Sequence, residues 1–148
     1  MTTIAYRSGL LAADTLISYT SITNGSREKI AKCGGFTVAL AGPAWLRRPL
    51  EAWCAGGCPE DDVPQVLLDH GNDFSALIID NTTGDLFEFD NGYLLPIFAD
   101  YTAIGSGALL ALGAMAHGAS AEEAVEAASK HDKNTGGPVT SLSFSLTA

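Results

Sequence analysis

The chain has 148 residues, of which 47% are hydrophobic, and a formal net charge of −9. That length suits one domain with a core of its own, and the apolar share argues against a disordered chain. The acidic balance argues against a nucleic-acid partner, whose phosphates call for basic patches, and no apolar run is long enough to span a bilayer.

The polar amino terminus leads into a strand pattern rather than an export signal, so a cytoplasmic location is expected. Thr2 and Thr3 follow Met1. Removal of Met1 would leave a threonine with a hydroxyl and a free α-amine, a nucleophile and a base on one residue. An α-amine titrates near pH ~8, so part of it is neutral in a cell. Residues 2–6 and 10–13 are predicted as two strands joined at Ser8-Gly9. Residues 16–22 are predicted as an extended stretch ending in a turn at Asn24-Gly25. Residues 29–33 and 36–41 flank Gly34-Gly35 as a further hairpin.

A helix is predicted from near Pro43, with Trp45, Leu46, Leu50 and Trp53 on one side. Residues 61–69 are predicted as a second helix with acids at its start. Residues 74–79 form an apolar strand, the 81–85 turn leads into a strand over 86–89, and Asn91-Gly92 turns into another over 93–97. Residues 107–118, rich in Ala and Leu, are predicted as a buried helix. Ser120 with Glu123 makes a capping box that opens a last helix to about Lys130. Residues 139–146 alternate as a final strand. The pattern favours an α+β fold, with antiparallel sheets packed together and helices on their outer faces.

Three cysteines, Cys33, Cys54 and Cys58, form an odd set without an export signal, which argues against a disulfide framework. Cys54 and Cys58 are spaced C-x3-C, but the nearest histidine, His70, stands alone where zinc needs about four ligands. A structural role is expected, and no metal. His117 and His131 are also isolated.

A threonine nucleophile needs a nearby cation, a carboxylate to orient that cation, and a backbone N–H for the oxyanion. Asp14 follows three apolar strand residues, Lys29 opens the 29–33 strand, and Gly42 ends a strand before a helix. Taken singly, Asp14 reads as a turn residue, Lys29 as a solvated strand end and Gly42 as a helix-entry turn. Their order adds weight. The chain also carries Ser106 within Ile104-Gly105-Ser106-Gly107, and Asp132 with Thr135 within the 132–137 loop.

With these five elements in this order, the chain resembles the proteasome β-subunit family of N-terminal nucleophile hydrolases, most of all its bacterial branch, the HslV peptidase. The resemblance covers nearly the whole chain and implies a four-layer αββα sandwich, with residues 1–148 as one domain from which Met1 is removed. It implies a threonine endopeptidase that cleaves unfolded polypeptides through an acyl-enzyme on Thr2. Asp14, Lys29 and Gly42 would serve the nucleophile and oxyanion, and Ser106, Asp132 and Thr135 would position the amine and water. Lys32 competes with Lys29 for the lysine's place. No metal or organic cofactor is implied. A homo-oligomeric ring and an ATPase unfoldase or other activator are. The other readings of the same residues are a non-catalytic assembly or interaction module and an amidase acting on a small substrate.

Overall fold

The computed structural model describes residues 2–19 and 22–144. The first half holds six strands: β1 (Thr3–Arg7), β2 (Leu10–Ala13), β3 (Leu16–Tyr19), β4 (Ile22–Ser26), β5 (Ile30–Cys33) and β6 (Phe36–Ala41). A 3₁₀ turn, Ala44–Leu46, leads into α1 (Arg47–Ala55), and α2 (Gln65–Asp69) follows. The second half holds β7 (Ser75–Asp80), β8 (Leu86–Asp90), β9 (Tyr93–Pro96), β10 (Tyr101–Gly105), α3 (Ala108–Ala116), α4 (Ala121–Ser129) and β11 (Thr140–Ser143).

The fold is α+β. One antiparallel sheet has the order β10-β1-β2-β11, a second has β5-β6-β7-β8-β9, and β3 pairs with β4 as a ribbon. Strand alternation divides the interior into three cores. In β7, Ala76 and Ile78 face a core shared with Leu50, Trp53 and Cys54 of α1 and Leu67 of α2. Leu77 and Ile79, on the opposite face, meet Ile4, Leu11 and Ile104 of the other sheet. Ala5 and Ala12 of that other sheet turn away, toward Ala111 and Met115 of α3 and Val125 of α4. The two large sheets therefore face each other and each carries helices on its far side. Leu77, Ile78 and Ile79 are all fully buried, and each such side chain contributes about 2 kcal/mol.

Several elements differ from the sequence expectation. Asn24 and Gly25 lie inside β4 instead of forming a turn, and Thr20 and Ser21, between β3 and β4, lie outside the described residues. The helix predicted over residues 61–69 is shortened to α2 because Pro64 sits at its N-cap. Strand β10 was not anticipated. Helix α3 is not buried all round: Ala111 and Met115 are covered, while Leu109 is 84% exposed. The capping box of α4 is formed by both of its hydrogen bonds. Of the final predicted strand, residues 140–143 form β11, and residues 145–146 lie outside the described residues.

Cys33, Cys54 and Cys58 are buried together in the core under α1 and α2. A hydrogen bond with Cys58, together with burial, pushes the Cys54 thiol well above the ordinary range. Burial raises that of Cys33 as well. Both shifts favour the neutral thiol. Among the described residues, no helix is long and apolar enough to cross a membrane.

Candidate active site

Thr2 precedes β1, is buried, and lines a cavity of about 790 Å³ together with Lys29 and Gly42. The Thr2 hydroxyl donates to Asp14 Oδ1, and Lys29 Nζ donates to Thr2 Oγ1. Lys29 Nζ also donates to Asp14 Oδ1 at 2.9 Å, closing a three-way cluster.

The topology explains this convergence. Strand β1 pairs with β2 in the register Ile4↔Ala13, so Asp14 emerges beside the residue preceding Ile4. Asp14 is fully buried, and the fold supplies its carboxylate with backbone donors. Thr3 N donates to Oδ1 and Gly136 N to Oδ2, each at 3.1 Å. Lys29 enters from the second sheet, immediately before β5. Its side chain keeps only 10% exposure. Burial lowers the Lys29 pKa, and the Asp14 charge and hydrogen bond only partly offset that. Lys32 is exposed on β5, opposite Thr37. Of the two lysines, the structure brings Lys29 to Thr2.

Gly42 follows β6 with φ +154°, and a Cβ there would press on Phe74. The position thus demands glycine, and it lies on the cavity wall. Gly105, at φ +97°, lies so close to the Thr2 carbonyl that a Cβ would collide with it. The next residue, Ser106, donates to Asp132 Oδ2 at 2.6 Å, with its oxygen also 3.3 Å from the Thr2 carbonyl.

Asp132, between α4 and β11, gathers the late residues. Thr135 Oγ1 donates to its Oδ2 at 2.6 Å and Asn134 N to its Oδ1 at 3.2 Å. Burial opposes ionisation of Asp132, but the bonds from Ser106, Thr135 and Asn134 outweigh it. Its pKa lies below the usual carboxylate value. The loop is tied back by Thr15 and Leu16, whose N–H groups both donate to the Gly136 carbonyl at 3.2 and 3.1 Å.

Thr3 belongs to this network but was not among the sequence candidates. It is fully buried, with its Oγ1 2.7 Å from Thr135 Oγ1. Thr135 spends its one proton on Asp132, so Thr3 must be the donor between them. Strand alternation held the signal. Thr3 and Ala5 share the face toward the helices, so a buried polar residue there needs a partner on that side. Thr3→Val is expected to lower stability by about 1 kcal/mol in urea denaturation, with Thr3→Ser close to the parent.

No protein-family model matches the chain, and no curated protein matches it in sequence. Among solved structures, the chain is similar to BPH of Thiobacillus denitrificans at a TM-score of 0.72 and 23% identity, covering 99% of this chain and 98% of that one. It is also similar to Thiobacillus denitrificans BPH in complex with epoxomicin, at a TM-score of 0.71 and 23% identity, covering 99% of each chain. The chain shares the fold of these proteins from end to end.

Proposed function

We propose that this chain is a threonine peptidase of the proteasome β-subunit type, with Thr2 as an N-terminal nucleophile once Met1 is removed. The observation that carries this reading is the convergence of Thr2 Oγ1, Lys29 Nζ and Asp14 Oδ1, with Thr2 and Lys29 on the wall of a cavity lined also by Gly42. A fold neighbour in complex with epoxomicin, a proteasome inhibitor, supports it.

In this mechanism, Thr2 Oγ attacks the peptide carbonyl carbon and forms a C–O bond. The hydroxyl proton passes to the Thr2 amine, directly or through a water. Lys29, charged and oriented by Asp14, lowers the cost of the developing alkoxide. The Gly42 N–H stabilises the oxyanion. As the C–N bond breaks, the amine's proton moves to the leaving nitrogen. Water then cleaves the ester, with Ser106, Asp132 and Thr135 positioning the amine and that water. The chemistry needs no metal or organic cofactor. The layering of helices and sheets then corresponds to the αββα sandwich of N-terminal nucleophile hydrolases.

The family resemblance supplies the rest of the reading. Substrates are unfolded polypeptides, the subunits form a homo-oligomeric ring in the cytoplasm, and an ATPase unfoldase or another activator controls entry.

The test is the intact mass before and after treatment with a peptide epoxyketone, a reagent that closes a ring with both the hydroxyl and the amine of an N-terminal threonine. The expected mass lacks Met1 and gains one adduct, which Thr2→Ala abolishes. A retained Met1 with no adduct would sink the peptidase reading and favour a non-catalytic module.

A further inference from the structure

The cavity that Thr2 lines is also lined by Gly42, Pro43 and Trp45. Trp45 is 56% exposed, whereas Leu46 and the other tryptophan, Trp53, are buried. Helical spacing alone would place all three on one apolar face. The 3₁₀ turn Ala44–Leu46 ahead of α1 breaks that spacing and leaves Trp45 out of the core.

The exposed indole is nevertheless held. The His70 ring meets it edge-on at a centroid separation of 4.8 Å and 89° between planes. His70 Nδ1 in turn lies 2.8 Å from Asp73 Oδ2. Asp73 lines the same cavity and sits beside Phe74, the residue that packs under Gly42. The indole thus packs against His70, which in turn bonds Asp73 on the same cavity wall as Gly42.

The chemistry of the remaining wall indicates what it can receive. Leu16, Ile17, Leu40 and Ala44 present apolar surface. Two of the cations on the wall are already engaged. Lys29 serves Asp14 and Thr2, and Arg47 donates to Glu51 Oε1 at 2.9 Å and to the Glu28 carbonyl. Pockets of this volume, mostly apolar with a few placed polar groups, suit an apolar ligand group.

We propose that Trp45 is a specificity-determining residue, the wall of a subsite that takes a large apolar or aromatic side chain. That side chain belongs to the peptide residue whose carbonyl Thr2 attacks, so the inference rests on the peptidase reading above. Stacking on a pre-positioned indole favours Phe, Tyr or Leu over Ala and over Asp.

The test uses the full-length protein and peptides ending in a fluorogenic amide, which place residues only on the acyl side of the cleaved bond. The peptides differ at the last residue: Phe, Leu, Ala or Asp. The protein is expected to favour Phe and Leu over Ala by roughly tenfold or more in kcat/KM. Trp45→Ala is expected to remove most of that preference, and Trp45→Phe to restore much of it. Equal rates for all four peptides, or a preference that Trp45→Ala leaves intact, overturns the inference. If no peptide is cleaved, the peptidase reading fails separately, and calorimetric titration of the same peptides decides the subsite. Binding of the Phe peptide that weakens at least tenfold in Trp45→Ala supports it, and equal or absent binding overturns it.

Discussion

Asp14→Asn is expected to reduce peptide hydrolysis by roughly a thousandfold or more and to lower folding stability by about 3 kcal/mol. The carboxylate is fully buried and its two oxygens serve four donors: the Thr2 hydroxyl, Thr3 N, Lys29 Nζ and Gly136 N. Asparagine keeps the shape but replaces one oxygen with an NH₂. Whichever way the amide turns, that NH₂ faces a donor, either Gly136 N or the cluster around Lys29. The substitution also removes the negative charge opposite a largely buried ammonium, which leaves a charge in low dielectric without its counterion. Two measurements separate the roles of Asp14. Urea denaturation reads the structural loss, and hydrolysis of a reporter peptide under conditions where the variant is fully folded reads the functional one. A variant that is destabilised yet cleaves at the parent rate would make Asp14 purely structural and would remove it from the mechanism.

Each residue that the structure gathers around Thr2 carries a local signal that is ambiguous alone and gains weight only from the order of the set. Asp14 ends an apolar strand one hairpin after Thr2, Lys29 opens a strand pair closed by Gly34-Gly35, and Gly42 stands between a strand and a proline. What the sequence did not yield depends on contacts distant along the chain. Tyr101–Gly105 is short, and its pairing with β1, Thr3 against Gly105, spans about a hundred residues, so no turn dipeptide announces it. Yet that strand is what carries Ser106 to the Thr2 carbonyl. Asn24-Gly25 is a strong turn signal, but it falls where the β3–β4 register shifts, between the pairs Ser18↔Thr23 and Leu16↔Ser26, so it marks an irregularity within β4 rather than the turn. The composition of α3 reads as buried because apolar residues surround it, and composition cannot say which side the protein covers. The apolar positions of the first helix read as one stripe. The 3₁₀ turn that takes Trp45 off it depends on how the chain leaves Gly42 and Pro43, a matter of local geometry rather than periodicity.

Activity is expected to fall at alkaline pH below the range where an ordinary lysine titrates, and Lys29 is the group responsible. Burial lowers its pKa from 10.5, with Asp14 offsetting only part of the effect. In the proposed mechanism Lys29 acts as a cation beside the alkoxide, so kcat/KM should decline as pH rises through that lowered value. The acid limb belongs to the Thr2 amine, which must be neutral to accept a proton and has an ordinary value of about 8. Stability carries the opposite sign. Between the lowered folded value and the unfolded 10.5, the unfolded chain binds the proton more tightly. The contribution of Lys29 to stability therefore increases with pH in the same window where activity falls. An alkaline loss of rate without a matching drop in the urea midpoint thus identifies loss of the Lys29 charge rather than unfolding. Lys29→Arg keeps the charge to higher pH and should move the alkaline limb upward. Its planar fork cannot reproduce the point contact with both Thr2 and Asp14, so its maximum rate should be lower. Lys29→Met is expected to lose roughly a hundredfold to a thousandfold at every pH and to lose the alkaline limb as well. A rate that instead climbs through the alkaline window in the parent would mean that neutral Lys29 accepts the hydroxyl proton, and the base in this site would then be the lysine and not the terminal amine.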